Sequence, residues 1–384
     1  MSVLRIVLPR RIFFVGLFFV QILSAVVKAQ KTPPWYADPA AIHWADSVLK
    51  TLDLEDRIAQ SFMVASYAKG TKHEEQTVLR LIEKQHIGGV MFLQGVRDRM
   101  KALTQTYQAK TQVPLLMAID AEWGTDMRLS DGRAYPKAMG IAATANPSLA
   151  YRMGELLAEE LQEIGLHVNF APVVDVQRNP RNPVIGIRAF SDDPETVTQM
   201  GAAYMLGMQA NGLIACAKHF PGHGNTSTDS HHALPIINES YQQLATCDII
   251  PFQSLITQGL DMVMVAHIAL PGLGLPPNEP ASLRKKIVTS LLRDSLHFQG
   301  LICTDALNMK GATGSLKAEE VALQAYLAGS DILLCPENVA TSIKHIARAV
   351  QKKKLPATEV ATRTRRSKVL RTACTKRTAR NLRG

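Results

Sequence analysis

Short apolar runs alternate with longer amphipathic segments along this chain between Gln30 and Pro356. The short runs are Ile58–Ser66, Ile87–Leu93, Val113–Ile119, Val168–Val174, Leu213–Ala217, Met262–Ala266, Leu301–Thr304 and Ile332–Cys335. They are nearly continuous in apolar residues, which suits parallel strands covered on both faces. Two of the longer segments show helical spacing clearly. In Pro147–Ile164, Ala150, Met153, Leu156, Leu157 and Leu161 share a face; in Pro194–Asn211, Asp192 or Asp193 is placed to cap the start and Asn211-Gly212 the end. Eight strand-helix alternations predict an α/β protein built as a (β/α)8 TIM-type barrel. A doubly wound open sheet is the alternative. The barrel is expected to occupy residues 30–357 as a single catalytic domain.

Both ends of the chain break this pattern. Arg5, Arg10 and Arg11 precede a run from Ile12 to Val27 that is apolar except for Gln21 and Ser24, and Val27-Lys28-Ala29 suits a cleavage site. Residues 1–29 therefore read as a secretory signal peptide, with an uncleaved anchor helix as the alternative. A cleaved signal implies a secreted or periplasmic protein with no stable membrane insertion.

The formal net charge is +10, from 43 Lys+Arg and 33 Asp+Glu. Its distribution changes its meaning. Residues 351–384 hold 12 bases and one acid, Glu359, whereas residues 30–350 carry a net charge of −5. A mildly acidic body argues against a nucleic-acid partner. The basic stretch 358–384 has few large apolar residues and is expected to be poorly ordered, or the product of a shifted reading frame. The alternative is a basic helix for a membrane or nucleic acid. The five cysteines form no CxxC pair, so neither a disulfide framework nor a zinc ribbon is indicated. No GxGxxG or Walker A loop points to a nucleotide.

In a (β/α)8 barrel, function sits at the C-terminal ends of the strands. Here those ends carry Asp120, Asp175, Lys218-His219, His267 and Asp305, and a long loop after Asp175 reaches Arg188. A single Asp at such a place often only caps the next helix. Five charged or polar ends converging on one mouth need partners or a ligand. The segment Lys218-His-Phe-Pro-Gly-His-Gly-Asn-Thr-Ser-Thr-Asp-Ser-His231 cannot be regular, because Pro-Gly and Gly-Asn break any element. Asp229 and His231 stand two residues apart, close enough for the carboxylate to fix the imidazole tautomer and raise its basicity. His219, His223, His231 and His232 admit a metal site as a rival reading, although zinc spacing of this kind needs a helix. A carboxylate at Asp305 that attacks and an imidazole at His231 that protonates the leaving oxygen suit a two-step displacement.

These segments resemble glycoside hydrolase family 3, in its β-N-acetylhexosaminidase branch. The resemblance rests on residues 218–231, on Leu291-Leu-Arg-Asp-Ser with Gly300-Leu-Ile-Cys-Thr-Asp305, on Phe170-Ala-Pro-Val-Val-Asp175 and on Asn182-Pro-Val-Ile-Gly-Ile-Arg188. It implies Asp305 as the nucleophile, His231 as the general acid/base and Asp229 as its orienting partner. It further implies that Asp120, Arg128, Arg188, Lys218 and His219 bind a terminal β-linked N-acetylglucosamine, often in muropeptides, with no cofactor and no metal. Asn225 stands where that branch usually has Asp, and Asp120-Ala-Glu-Trp-Gly replaces its commoner third-strand motif.

Overall fold

The computed structural model describes residues 35–230 and 232–381. The expected signal peptide, residues 1–29, and His231 lie outside the described residues. Eight parallel strands follow one another: β1 (Phe62–Ser66), β2 (Gly89–Phe92), β3 (Leu116–Ile119), β4 (Val168–Asn169), β5 (Ile214–Phe220), β6 (Met262–Val265), β7 (Leu301–Thr304) and β8 (Leu333–Leu334). Each pairs with its sequence neighbour, and β8 pairs with β1. A parallel bridge between Cys303 and Ile332 brings β7 to β8 and closes the ring. The architecture is the (β/α)8 barrel, not an open sheet.

Local chemistry explains most boundaries. Asp193 accepts a hydrogen bond from Thr196 N at 2.8 Å and starts the helix Pro194–Ala210, which ends at Asn211 with Gly212 at φ 83°. Asn146 caps Pro147–Glu163, and Thr71 with Glu74 forms a reciprocal capping box for Lys72–Gln85. The expected strand Ile58–Ser66 begins in a helix: Asp53 caps a short helix, Leu54–Ala59, and the turn residues Gln60 and Ser61 separate its apolar end from β1. A buried helix turn and a buried strand have the same apolar composition, so periodicity over so few residues cannot separate them.

Two apolar layers hold the barrel. The larger lies between strands and outer helices and includes Ile58, Val90, Met117, Ala215, Val263 and Ile302. The second fills the barrel interior with Met63, Leu116, Val168, Ile214, Met262 and Leu301, and extends downward onto Trp35, Ala41, Ala45, Val369, Leu370 and Ala373.

That second layer corrects the expectation for the C-terminal stretch. Ala357–Asn381 is a helix that packs against the helices Pro39–Thr51 and Leu54–Ala59 and floors the barrel. Its charges are answered by the body. Arg365 meets Asp46 at 2.7 Å, Arg366 meets the buried Asp331 at 2.5 Å, and Arg363 lies 4.4 Å from the centre of the Tyr326 ring. The stretch looked unstructured because these partners are distant in sequence. Among the described residues, no helix is long and apolar enough to cross a membrane.

Asp331 also binds Arg293 at 2.8 Å and accepts the Ile302 N–H at 2.8 Å. Asp331→Ala would strand two guanidinium groups against one another, an uncompensated arrangement that costs about 3–5 kcal/mol. Urea unfolding followed by circular dichroism should show that loss; an unchanged midpoint would refute this account of the helix's attachment.

Candidate active site

Parallel strands all deliver their C-terminal ends to one rim, so residues far apart in sequence meet there. Asp120, immediately after β3, accepts Arg128 Nη2 at 2.8 Å on one carboxylate oxygen and Lys218 Nζ, from β5, at 2.7 Å on the other. Arg128 Nε also donates to the Asp120 carbonyl at 2.9 Å. The same Lys218 ammonium lies 2.7 Å from Glu122 Oε1. Glu122 in turn holds Arg188 through two parallel bonds, at 2.8 and 2.6 Å. Arg128, Asp120, Lys218, Glu122 and Arg188 thus form one chain of alternating charge. All three guanidinium nitrogens of Arg188 are engaged, the third on the Val184 carbonyl at 3.0 Å.

Charge pairing sets the ionisation of this chain. Burial opposes ionisation of Glu122, but Lys218 and Arg188 outweigh it and hold its carboxyl well below the usual carboxylate range. Burial likewise disfavours the Lys218 ammonium, and Asp120 and Glu122 overcome it and raise its pKa. Glu122 and Lys218 are thereby held in their charged forms although Lys218 is only 1% exposed. Fixed donors and acceptors of this kind suit a hydroxyl-rich ligand, because a site built on hydrogen bonds rejects analogues that lack them.

Beside it stands a second constellation. Asp175 is fully buried and receives three donors from β5 and the loop that follows it: His219 N at 3.2 Å, His219 Nδ1 at 2.7 Å and His223 N at 2.7 Å. A carboxylate at Nδ1 assigns that nitrogen the proton, leaving Nε2 as the ring's other functional edge. Burial would raise the Asp175 pKa, yet His219 and His223 keep it low. For His223, burial and then the neighbouring His219 push the imidazole down to about 4, so it is neutral. Its Nδ1 lies 2.9 Å from Thr226 Oγ1.

Asp305 follows β7 and takes its place through its own N–H, which donates to the Val265 carbonyl at 3.0 Å. One carboxylate oxygen accepts the Ala306 N–H at 2.8 Å. Burial works to raise its pKa, but His267, His219, the Ala306 N–H and Lys218 together hold it below the usual carboxylate range. His267 is buried, with Nε2 3.1 Å from the Ala306 carbonyl and Nδ1 2.6 Å from Ser282 Oγ. A carbonyl only accepts, so the proton sits on Nε2 and Ser282 donates to Nδ1.

Asp229 lies on the partly exposed loop between Gly222 and Ser230, and its carbonyl caps the next turn through His232 N at 3.0 Å and Ala233 N at 3.1 Å. The adjoining Ser230 carbonyl accepts the Gly311 N–H at 3.1 Å, which fastens this loop to the segment that follows Asp305. A Cβ at Gly311 would sit 2.8 Å from that carbonyl, so the contact requires glycine. His231, the expected acid/base, lies outside the described residues.

The structure therefore gathers Asp120, Arg128, Arg188, Lys218, His219 and Asp305 at one rim. It adds Glu122, which the sequence left without a role, and decides between two readings of Asp175. Glu122 is the hub between Lys218 and Arg188; its spacing of two from Asp120, which on extended chain puts both side chains on one side, was the available signal. Asp175, which from the sequence reads as either a helix cap or a loop organiser, is the organiser and holds His219 and His223. Among the described residues, no group of three or more His, Cys, Asp or Glu side chains has the arrangement to hold a metal ion.

The family model for the glycosyl hydrolase family 3 N-terminal domain matches residues 53–371. A beta-hexosaminidase of Tolumonas auensis is 37% identical over 70% of this chain and 80% of its own length. Beta-hexosaminidase A of Pseudoalteromonas piscicida is 35% identical over 67% of this chain, which spans about half (47%) of that protein. Among solved structures, beta-glucoside phosphorylase BglX superposes with a TM-score of 0.84 at 27% identity, covering 89% of this chain and 63% of that one. A family 3 beta-N-acetylglucosaminidase from Paenibacillus sp. str. FPU-7 superposes with a TM-score of 0.75 at 30% identity, covering 86% and 63%.

Proposed function

The chain belongs to glycosyl hydrolase family 3, and from that premise we propose that it is a retaining, exo-acting β-N-acetylglucosaminidase. Its substrate class is a carbohydrate ending in β-linked N-acetylglucosamine, such as a glycan or a peptidoglycan fragment. The observation that carries this reading is an ionised Asp305 on the same rim as the loop bearing Asp229, which the Ser230–Gly311 hydrogen bond fastens to the segment after Asp305, with the Asp120–Lys218–Glu122 charge chain between β3 and β5 as the sugar-binding side. Names of the relatives support the substrate class: beta-hexosaminidases and a beta-N-acetylglucosaminidase stand among them.

In this reading Asp305 attacks the anomeric carbon as the glycosidic C–O bond breaks. The leaving oxygen takes a proton from the His231 imidazolium, whose basicity Asp229 raises. Neutral His231 then removes a proton from water, and the water oxygen displaces Asp305 with net retention. Arg128, Arg188, Lys218 and His219 hold the sugar hydroxyls directly or through their carboxylate partners. The N-terminal signal pattern supports a secreted or periplasmic location.

Incubation with an aryl β-N-acetylglucosaminide is expected to release the aryl chromophore, unaffected by a chelator, and initially with β-configured sugar. An α-configured first product would reject the retaining mechanism. The similarity to a beta-glucoside phosphorylase favours a second reading, in which phosphate replaces water in the second step. A neutral imidazole repels phosphate less than a carboxylate would. Titrating phosphate separates the two: a sugar 1-phosphate that grows with phosphate supports phosphorolysis, and free sugar alone supports hydrolysis.

A further inference from the structure

The loop that runs from the end of β5 to Asp229 has no regular structure of its own, so something else must hold it. Arg178, three residues after Asp175, lies beneath it. Its Nη1 donates to Glu239 Oε2 at 2.8 Å and to Asp248 Oδ2 at 2.7 Å, and its Nη2 lies 2.7 Å from Glu239 Oε1. Asn225, at the middle of the loop, donates its side-chain amide to Glu239 Oε1 at 3.0 Å. Near the loop's start, a Cβ on Gly222 would come within 2.6 Å of Asp248 Cβ. The Asn179 amide side chain donates to the Thr226 carbonyl at 3.0 Å and Asn182 Nδ2 donates to the His223 carbonyl at 2.8 Å. Gly224 sits so close that a Cβ there would lie 1.7 Å from the Val176 carbonyl.

These contacts have a direction. The Asp248 carboxylate is 2% exposed and the Glu239 carboxylate 14%, so the post is too desolvated to be a loose surface pair. Burial of Arg178 is outweighed by its two carboxylates, which fixes it as a permanent cation. Among the described residues, the side-chain hydrogen bond that joins this post to the middle of the loop is the one in which Asn225 donates and Glu239 accepts.

We propose that Arg178, Glu239 and Asp248 form a fixed post, and that the Asn225–Glu239 hydrogen bond tethers the loop to it and sets the acid/base at its working distance from the leaving oxygen. Asn225 and Glu239 are positioning residues. The role rests on the reading that residues 229–231 supply the acid. The polarity of the tether makes it testable by exchange of partners. Asn225→Asp places two carboxylates against each other and breaks the bond. Adding Glu239→Gln supplies an amide donor to the new carboxylate, restores the bond with reversed polarity and leaves the cluster's net charge as in the native protein, while Asp248 still holds Arg178.

The experiment compares the native protein, Asn225→Asp, Glu239→Gln and the double variant by two measurements. Backbone hydrogen exchange in residues 222–230 should quicken about tenfold in Asn225→Asp and return to within about twofold of native in the double variant. Turnover should fall about tenfold on N,N′-diacetylchitobiose, whose leaving group needs a proton, and under about threefold on the 2,4-dinitrophenyl glycoside, whose leaving group does not. The double variant should recover the first substrate. Unmoved exchange in Asn225→Asp, equal losses on both substrates, or a double variant no better than the single would overturn the proposal. If Asn225→Asp does not fold, a folded double variant is itself the recovery, and an unfolded one refutes the tether. If the native protein turns over neither substrate, the hydrolase reading fails, and the exchange measurement still decides whether the tether exists.

Discussion

Asp305→Asn is expected to lower kcat at least about 10⁴-fold on any β-N-acetylglucosaminide, because an amide cannot form the glycosyl-enzyme. Binding should survive, since the charge chain around Lys218 does not depend on it. Asp305→Gly should regain part of its turnover in azide. The small anion then occupies the nucleophile's side, and the product is the α-glycosyl azide, opposite in configuration to the native product. A β-configured azide, or a variant within tenfold of native without azide, would remove Asp305 from the role. The carboxyl also predicts a pH effect. Its folded pKa lies below the ordinary carboxylate value despite burial, through His267, His219, the Ala306 N–H and Lys218. It therefore contributes stability that is fully present above the unfolded pKa and is lost as pH falls through the folded one. The stability difference between the native protein and Asp305→Asn should accordingly narrow as the solution is acidified below the ordinary carboxylate range, as read by urea midpoints across pH.

Lys218→Met should be the second most damaging change. The ammonium lies 2.7 Å from both Asp120 Oδ1 and Glu122 Oε1 and is almost wholly enclosed. Methionine keeps the volume of the stem and removes the charge. Arg128 and Arg188 then face two carboxylates that have lost their shared cation, which is expected to cost about 3–5 kcal/mol of stability. The Glu122 pKa, held low first by Lys218 and then by Arg188 against burial, should rise. On aryl substrates kcat/KM should drop about 10²–10³-fold, with the loss in KM as well as kcat, as removal of a sugar-side contact requires. Full kcat/KM in a folded Lys218→Met protein would displace this network from the binding site. Lys218→Arg should not rescue, because a planar fork cannot take the place of a compact ammonium between two carboxylates on different geometry.

Individual residues show how far local information reaches. The eight apolar runs were legible because a parallel strand covered on both faces has no choice but to be apolar throughout. Asp193, Asn211 and Gly212 announced a helix's two ends through side-chain and backbone preferences that act within a few residues. Asp120, Lys218, His219 and Asp305 could be picked out because a barrel sends every strand's C-terminal end to the same rim. The helix from Ala357 was not legible by the same reasoning. Its arginines find Asp46, Asp331 and the face of Tyr326, and a window along the sequence contains none of them.

The sequence by itself determined the barrel, the polar strand ends that meet at its rim and the family resemblance, because burial periodicity, capping and motif spacing are properties of neighbours along the chain. Only the tertiary structure decided who pairs with whom: that Glu122 joins Lys218 to Arg188, that Asp175 orients His219, that Asn225 is tied to Glu239 over Arg178, and that a basic C-terminal helix floors the barrel. Charge pairing depends on distances through space of a few ångströms, and those distances exist only once the strands have closed their ring.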